Sequence, residues 1–137
     1  EMPSLLMEGL GQENGICFKN EDYFVVFDNE DQIKKISPDF NKLALLDLRG
    51  VIVTSPGKDY DFVSRAFFPK YGILEDPVTG SAHTKLIPYW SKKLNKSELK
   101  AKQISKRGGE LFCKDKIDRV FISGYAKLYM VGEIRLN

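Results

Sequence analysis

Reactive side chains are densest over one stretch of this chain, Glu75-Asp76-Pro77-Val78-Thr79-Gly80-Ser81-Ala82-His83. Asp76 can hold a substrate amine or hydroxyl, or exchange a proton with it. Thr79 and Ser81 carry hydroxyls able to cap a helix start, Pro77 stiffens the approach, and Gly80 lets a ligand reach the backbone. A helix opening here offers free amides at the positive end of its dipole, which together attract a carboxylate or phosphate. The chemistry on offer is anion capture by the backbone of Thr79, Gly80, Ser81 and Ala82, with Asp76 and Ser81 beside the ligand. The same residue types also open helices that bind nothing, and the motif alone leaves both readings open.

The neighbouring groups add little. Glu75 and Asp76 adjoin in an extended segment and point to opposite faces, so no carboxylate pair forms and Glu75 reads as solvated or structural. His83 is the only histidine and makes no metal site alone. Two residues from Ser81 on a helix, it faces away from that hydroxyl, so its expected role is a hydrogen bond that steadies the loop. Cys17 and Cys113 lie in apolar stretches without a second cysteine or histidine at ligand spacing. Both read as reduced core thiols, and no metal is expected.

The element that must position these groups is a helix over residues 81–94, where Ala82, Leu86, Trp90 and Leu94 recur every four residues. Ile87 and Tyr89 widen its apolar face beyond a single stripe, which predicts strands curled around it. Pro88 predicts a kink near residues 84–88, because an interior proline lacks a donor and crowds the preceding turn at about 3 kcal/mol. Upstream, residues 16–18 and 23–27 read as a hairpin across Lys19-Asn20-Glu21-Asp22. Residues 28–47 hold one or two short helices, with Ser37-Pro38 as a start signal. Residues 50–54 and 62–68 form a further antiparallel pair across Ser55-Pro56-Gly57-Lys58-Asp59. Downstream, residues 100–105, 110–114, 119–123 and 125–136 read as a meander of strands.

These elements fit one domain of 137 residues, 42% hydrophobic. A formal net charge of +2 gives no field that argues for nucleic acid. The lysines from Lys92 to Lys106 are interrupted by Glu98 and read as a solvated face. No apolar run approaches the roughly 18–20 residues of a membrane-spanning helix, so no membrane partner and a cytoplasmic location are expected. The chain opens Glu1-Met2-Pro3-Ser4 and reads as a fragment.

The segment from Glu75 to His83, followed by Pro88-Tyr89-Trp90, resembles the second-half signature of the phenazine-biosynthesis (PhzF-like) family. Gln103-Ile104-Ser105-Lys106-Arg107-Gly108-Gly109-Glu110-Leu111 and Arg119-Val120-Phe121-Ile122-Ser123-Gly124 resemble downstream elements of that family. The resemblance implies an α+β fold like that of diaminopimelate epimerase, whose two alike lobes each wrap a curved, mostly antiparallel sheet around a central helix. Residues 1–137 would then be a single lobe, equivalent to the C-terminal domain. The implied chemistry is cofactor-independent proton transfer on a small carboxylate-bearing metabolite, exemplified by isomerisation of a dihydro-hydroxyanthranilate. A glutamate of the first lobe moves the proton there, and its motif has no counterpart here. Asp76 and Ser81 match second-lobe active-site positions, whose implied roles are substrate contact and assistance to proton transfer, and Gly80 matches the helix-start backbone near the substrate's carboxylate. Asp76 and Ser81 are thus the expected catalytic residues, and the helix start of Thr79, Gly80 and Ala82 the expected substrate-binding element. The expected partners are that substrate, the missing N-terminal lobe and a second copy in a homodimer. Without the first lobe this chain should turn over little. The alternative is a stand-alone small-anion-binding or interaction domain without catalysis.

Overall fold

The computed structural model describes residues 3–136. Strands β2 (Tyr23–Val26), β3 (Val51–Pro56) and β4 (Phe62–Phe67) are buried along almost their whole length, so both faces of this part of the sheet need cover. On one face α1 (Ser4–Leu10), α2 (Glu30–Lys35) and α3 (Phe40–Ala44) supply Leu6, Leu10, Ile33 and Leu43 against Tyr23, Val25, Val51 and Val53. On the other, α4 (Gly80–Leu94) sets Ala82, Leu86, Ile87 and Trp90 against Phe24, Ile52, Phe62 and Leu99. Burying a side chain of this size contributes about 1.5–3 kcal/mol, and the two cores together hold the sheet between layers.

With β1 (Ile16–Lys19), β5 (Glu98–Gln103), β6 (Gly109–Asp115) and β7 (Val120–Ser123), the sheet has seven strands in the order β1-β2-β3-β4-β5-β6-β7. The hairpin β1–β2 and the antiparallel pair β3–β4 stand where the sequence puts them. Between them β2 and β3 run parallel, as do β4 and β5. A parallel pair needs a crossover, supplied by α2 with α3 in the first case and by α4 in the second. Side chains from β2 through β7, among them Phe24, Ala101, Leu111 and Val120, reach the α4 core. Six strands laid flat would span roughly 24 Å, against a helix diameter of about 10–12 Å. The sheet must therefore curl around α4, as its broad apolar face demands.

Several expectations change. Helix α4 starts one residue early, at Gly80, and runs through Pro88 to end at Leu94 as expected. Its C-terminal half is tied down by Trp90, whose indole Nε1 donates to Thr54 Oγ1 at 3.0 Å. Helix α1 carries no strong sequence signal and forms by burying Leu6, Met7 and Leu10. Helix α3 is capped by Asp39, whose Oδ1 accepts from the amides of Asn41 and Lys42, so Ser37-Pro38 lies ahead of the actual cap. Residues 125–136 form no strand. They are rich in strand formers, but a strand exists only against a ladder partner, and no described strand pairs with them. Their Tyr129, Ile134 and Leu136 side chains are exposed instead. Cys113 is buried as expected, whereas Cys17, on edge strand β1, is only half-buried.

Candidate functional site

The loop between β4 and α4 carries the predicted residues, and a single side chain from β5 shapes it. Gln103 is fully buried. Its Oε1 accepts from the Thr79 amide at 2.7 Å, and its Nε2 donates to the Asp76 carbonyl at 2.7 Å and to Thr79 Oγ1 at 3.0 Å. Thr79 Oγ1 in turn donates to Asp76 Oδ2 at 2.6 Å. The chain of donors from Gln103 through Thr79 to Asp76 orients the carboxylate by bonds that polarise one another. Ser105 Oγ donates to the Pro77 carbonyl at 2.8 Å and accepts from the Gly108 amide at 3.0 Å, which anchors the middle of the loop to the turn after β5.

The Thr79 hydroxyl is thereby diverted from capping, and no side chain among the described residues caps α4. The expectation that Thr79 or Ser81 would supply the cap is corrected: one hydroxyl is committed to Asp76, and the other faces outward. The first-turn amides, which lack partners inside any helix, stay open over Gly80, Ser81 and Ala82. A methyl placed at Gly80 would meet no atom within 4 Å, so the space beside Gly80 is free.

His83 sits one turn into α4, fully buried, its Nδ1 2.7 Å from the Thr79 carbonyl. Burial pushes its pKa down, against the opposing pull of that carbonyl. The ring is therefore neutral at pH 7, with Nδ1–H donating to Thr79 and Nε2 without a partner among the described residues. This is the loop-steadying bond anticipated for it. Glu75 is structural as well: Arg65 grips it with Nε to Oε1 at 2.7 Å and Nη2 to Oε2 at 3.0 Å.

A cavity of about 200 Å³ opens at the loop, with Arg49, Tyr71, Asp76, Thr79 and Ser81 in its wall. Asp76, Thr79 and Ser81 thus come together in one wall. Gly80 faces a neighbouring concavity of about 520 Å³, shared with Gly108, Gly109 and Tyr125. Ala82 turns its methyl into the core and contributes only backbone to the helix start. A larger hollow of about 580 Å³, lined by Phe112, Phe121 and several lysines, holds none of these residues.

Sequence reasoning missed Arg49, Asp22 and Gln103. Asp22 and Arg49 stand just before β2 and β3, and the parallel register Tyr23 to Val51 brings those starts side by side. Arg49 holds Asp22 through Nε to Oδ1 at 2.9 Å and Nη2 to Oδ2 at 2.7 Å, and Lys85 Nζ adds a bond to Oδ2 at 2.9 Å. Burial pushes the Asp22 carboxyl up, but these cations outweigh it and hold the group below the ordinary carboxylate range. No local motif announces the cluster; a charged residue at the start of each of two apolar strands is its only signal.

A family model described as phenazine biosynthesis-like protein (PhzC-PhzF) matches residues 16–132. The chain belongs to the phenazine biosynthesis-like family. An uncharacterized isomerase of Pseudomonas aeruginosa is 48% identical to it over 134 residues, 98% of this chain and 52% of that protein. The crystal structure of a PhzF-family phenazine biosynthesis protein from Enterococcus faecalis matches with a TM-score of 0.90 at 49% identity, covering 99% of this chain and 53% of its own. A phenazine biosynthesis PhzC/PhzF protein from Clostridium difficile matches with a TM-score of 0.86 at 38% identity, over 99% and 53% of the respective chains. The α+β architecture is therefore that of PhzF-family proteins. The chain spans about half the length of these relatives.

Proposed function

We propose that this chain is the C-terminal lobe of a two-lobed isomerase that moves a proton on a small carboxylate-bearing metabolite without a cofactor. The observation that carries this reading is the uncapped start of α4, beside a cavity walled by Asp76, Thr79 and Ser81. The substrate carboxylate would accept from the amides of Gly80, Ser81 and Ala82, where the helix dipole favours an anion. Asp76, oriented by Thr79, would hold the substrate's amine or hydroxyl and assist as the proton leaves one carbon and returns at another. The group that carries that proton would be the glutamate of the missing lobe, as the family resemblance implies.

Two features support half a cleft. The cavity that holds Asp76, Thr79 and Ser81, at about 200 Å³, lies by itself below the roughly 300–1,000 Å³ of a complete small-molecule site, and Gly80 opens onto a separate concavity beside it. Residues 125–136 expose large apolar side chains of the kind a partner surface covers. In the absence of the other lobe the same surface favours a homodimer.

The reading is tested by mixing the chain with its complementary half in D2O and following deuterium uptake into a dihydro-hydroxyanthranilate. Exchange by the pair and none by this chain alone is expected; no exchange by the pair over a panel of small carboxylates would refute the isomerase. Gly80→Ala serves as the local check. The methyl enters open space, so the midpoint of thermal unfolding should hold or rise slightly, as glycine replacement in a helix permits. Carboxylate binding should weaken about tenfold or more through lost access to the amides.

A further inference from the structure

We infer that Arg49 is the side-chain anchor for the substrate's carboxylate, held in place by Asp22; this rests on the functional reading above and names the residue that would give the site its preference for an anion. A guanidinium can grip a carboxylate along two edges, Nε with Nη2 or Nη1 with Nη2. Asp22 occupies the first edge with bonds of 2.9 and 2.7 Å. The second edge is open: Nη1 has no hydrogen-bond partner among the described residues, and the next contact of Nη2 is Ser81 Oγ at 3.5 Å, too long for a strong bond. The Phe68 ring lies 5.6 Å from the guanidinium carbon and limits its movement. Arg49 remains 35% exposed and lines the cavity with Asp76 and Ser81.

Charge balance points the same way. Asp22 is completely buried and needs one cation, yet it has two, Arg49 and Lys85. Lys85, itself largely buried at 2.9 Å, is sufficient to neutralise it. Glu21 also approaches Lys85, at 3.5 Å, and its charge reaches Arg49 as well, but its side chain is 71% exposed, so water screens it from both cations. Asp76 is the cavity's own carboxylate; it takes the Thr79 hydroxyl and forms no ion pair with Arg49. The positive charge of Arg49 is thus left facing the cavity, and a structural role in neutralising Asp22 does not account for it.

The test is a titration of the isotope-labelled 137-residue chain with benzoate and, separately, with benzamide, a neutral molecule of the same shape, followed by NMR. Benzoate should move the amides of Gly80, Ser81 and Ala82 together with the Arg49 Nε–H resonance, and benzamide should move them far less. Arg49→Gln should weaken benzoate about tenfold or more, as loss of a charge-assisted pair implies, while leaving benzamide unchanged. Arg49→Lys, which keeps the charge and loses the fork, should fall between. If the glutamine variant does not fold, the Arg49 resonance of the unaltered chain and the lysine variant decide the matter. Benzoate binding at α4 with no movement of Arg49 and no loss in either variant overturns the anchor and leaves the site standing. No benzoate binding at the helix start removes both.

Discussion

Gln103 has every amide atom engaged at the loop it organises, and that makes it the residue whose loss should be felt most widely. Gln103→Ala strands the Thr79 amide and the Asp76 carbonyl, each worth about 1–3 kcal/mol when left unpaired in a buried place. Urea unfolding should show a loss of about 2–4 kcal/mol, with Asp76 and Thr79 resonances shifting most in the spectrum of the native state. His83 supplies a pH test. Its pKa is lower folded than unfolded, so the unfolded chain takes up more protons as pH falls. Stability is then fully present above the unfolded value near 6.5 and lost below it, at up to about 1.4 kcal/mol per pH unit until the folded value is passed. Chemical denaturation from pH 7.5 to 5 should show this fall, and His83→Gln should flatten it. Asp76, Thr79 and Ser81 were legible in the sequence because a helix start gathers near neighbours. Arg49 and Gln103 were not, because their partners lie 27 and 24 residues away, and only strand pairing closes such separations.

At the scale of elements, α4 was readable because its apolar spacing is strong enough to override Pro88. The sheet around it was less so. Residues that form hairpins carry turn signals between them, whereas the parallel pairs β2–β3 and β4–β5 are joined through helices, and no local feature states which strand follows alongside which. Helix α1 escaped notice for a related reason: it is short and exists by virtue of its contacts with the second core. Pro88 gives the test at this scale. Its side is exposed, it forgoes one backbone bond, and α4 absorbs the defect. Pro88→Ala should therefore stabilise the chain by about 1–3 kcal/mol, measured by urea unfolding, since the interior penalty of proline exceeds its entropic benefit to the folded state.

For the molecule as a whole, the segment after Gly124 marks where packed strands give way to exposed apolar side chains. Tyr125 touches Phe112 edge to face at 5.5 Å, but beyond it Leu128, Tyr129, Met130 and Val131 are all more than three-quarters exposed. Size-exclusion chromatography with light scattering should find a concentration-dependent dimer. Deleting residues 127–137 should return a monomer whose unfolding free energy stays within about 1 kcal/mol, because side chains that are already exposed give up little burial. A deleted chain that still dimerises would move the interface to the sheet. The expected strand at this segment was written in the residue types but depended on a neighbour that a single sequence does not display.

The bond between Thr79 and Gln103 also has a consequence in time. A ribosome delivers the chain from its N-terminus, so β4, the loop and the start of α4 are made before the residue that holds them in shape, which lies 24 positions later. At about 5–20 residues per second, the loop waits roughly 1–5 seconds for Gln103. During that interval Asp76 and Thr79 belong to an unorganised segment, and any ligand-binding capacity appears as a late event of synthesis. Nascent chains arrested before β5 has emerged should leave the loop open to proteases, and arrest beyond β6 should close it.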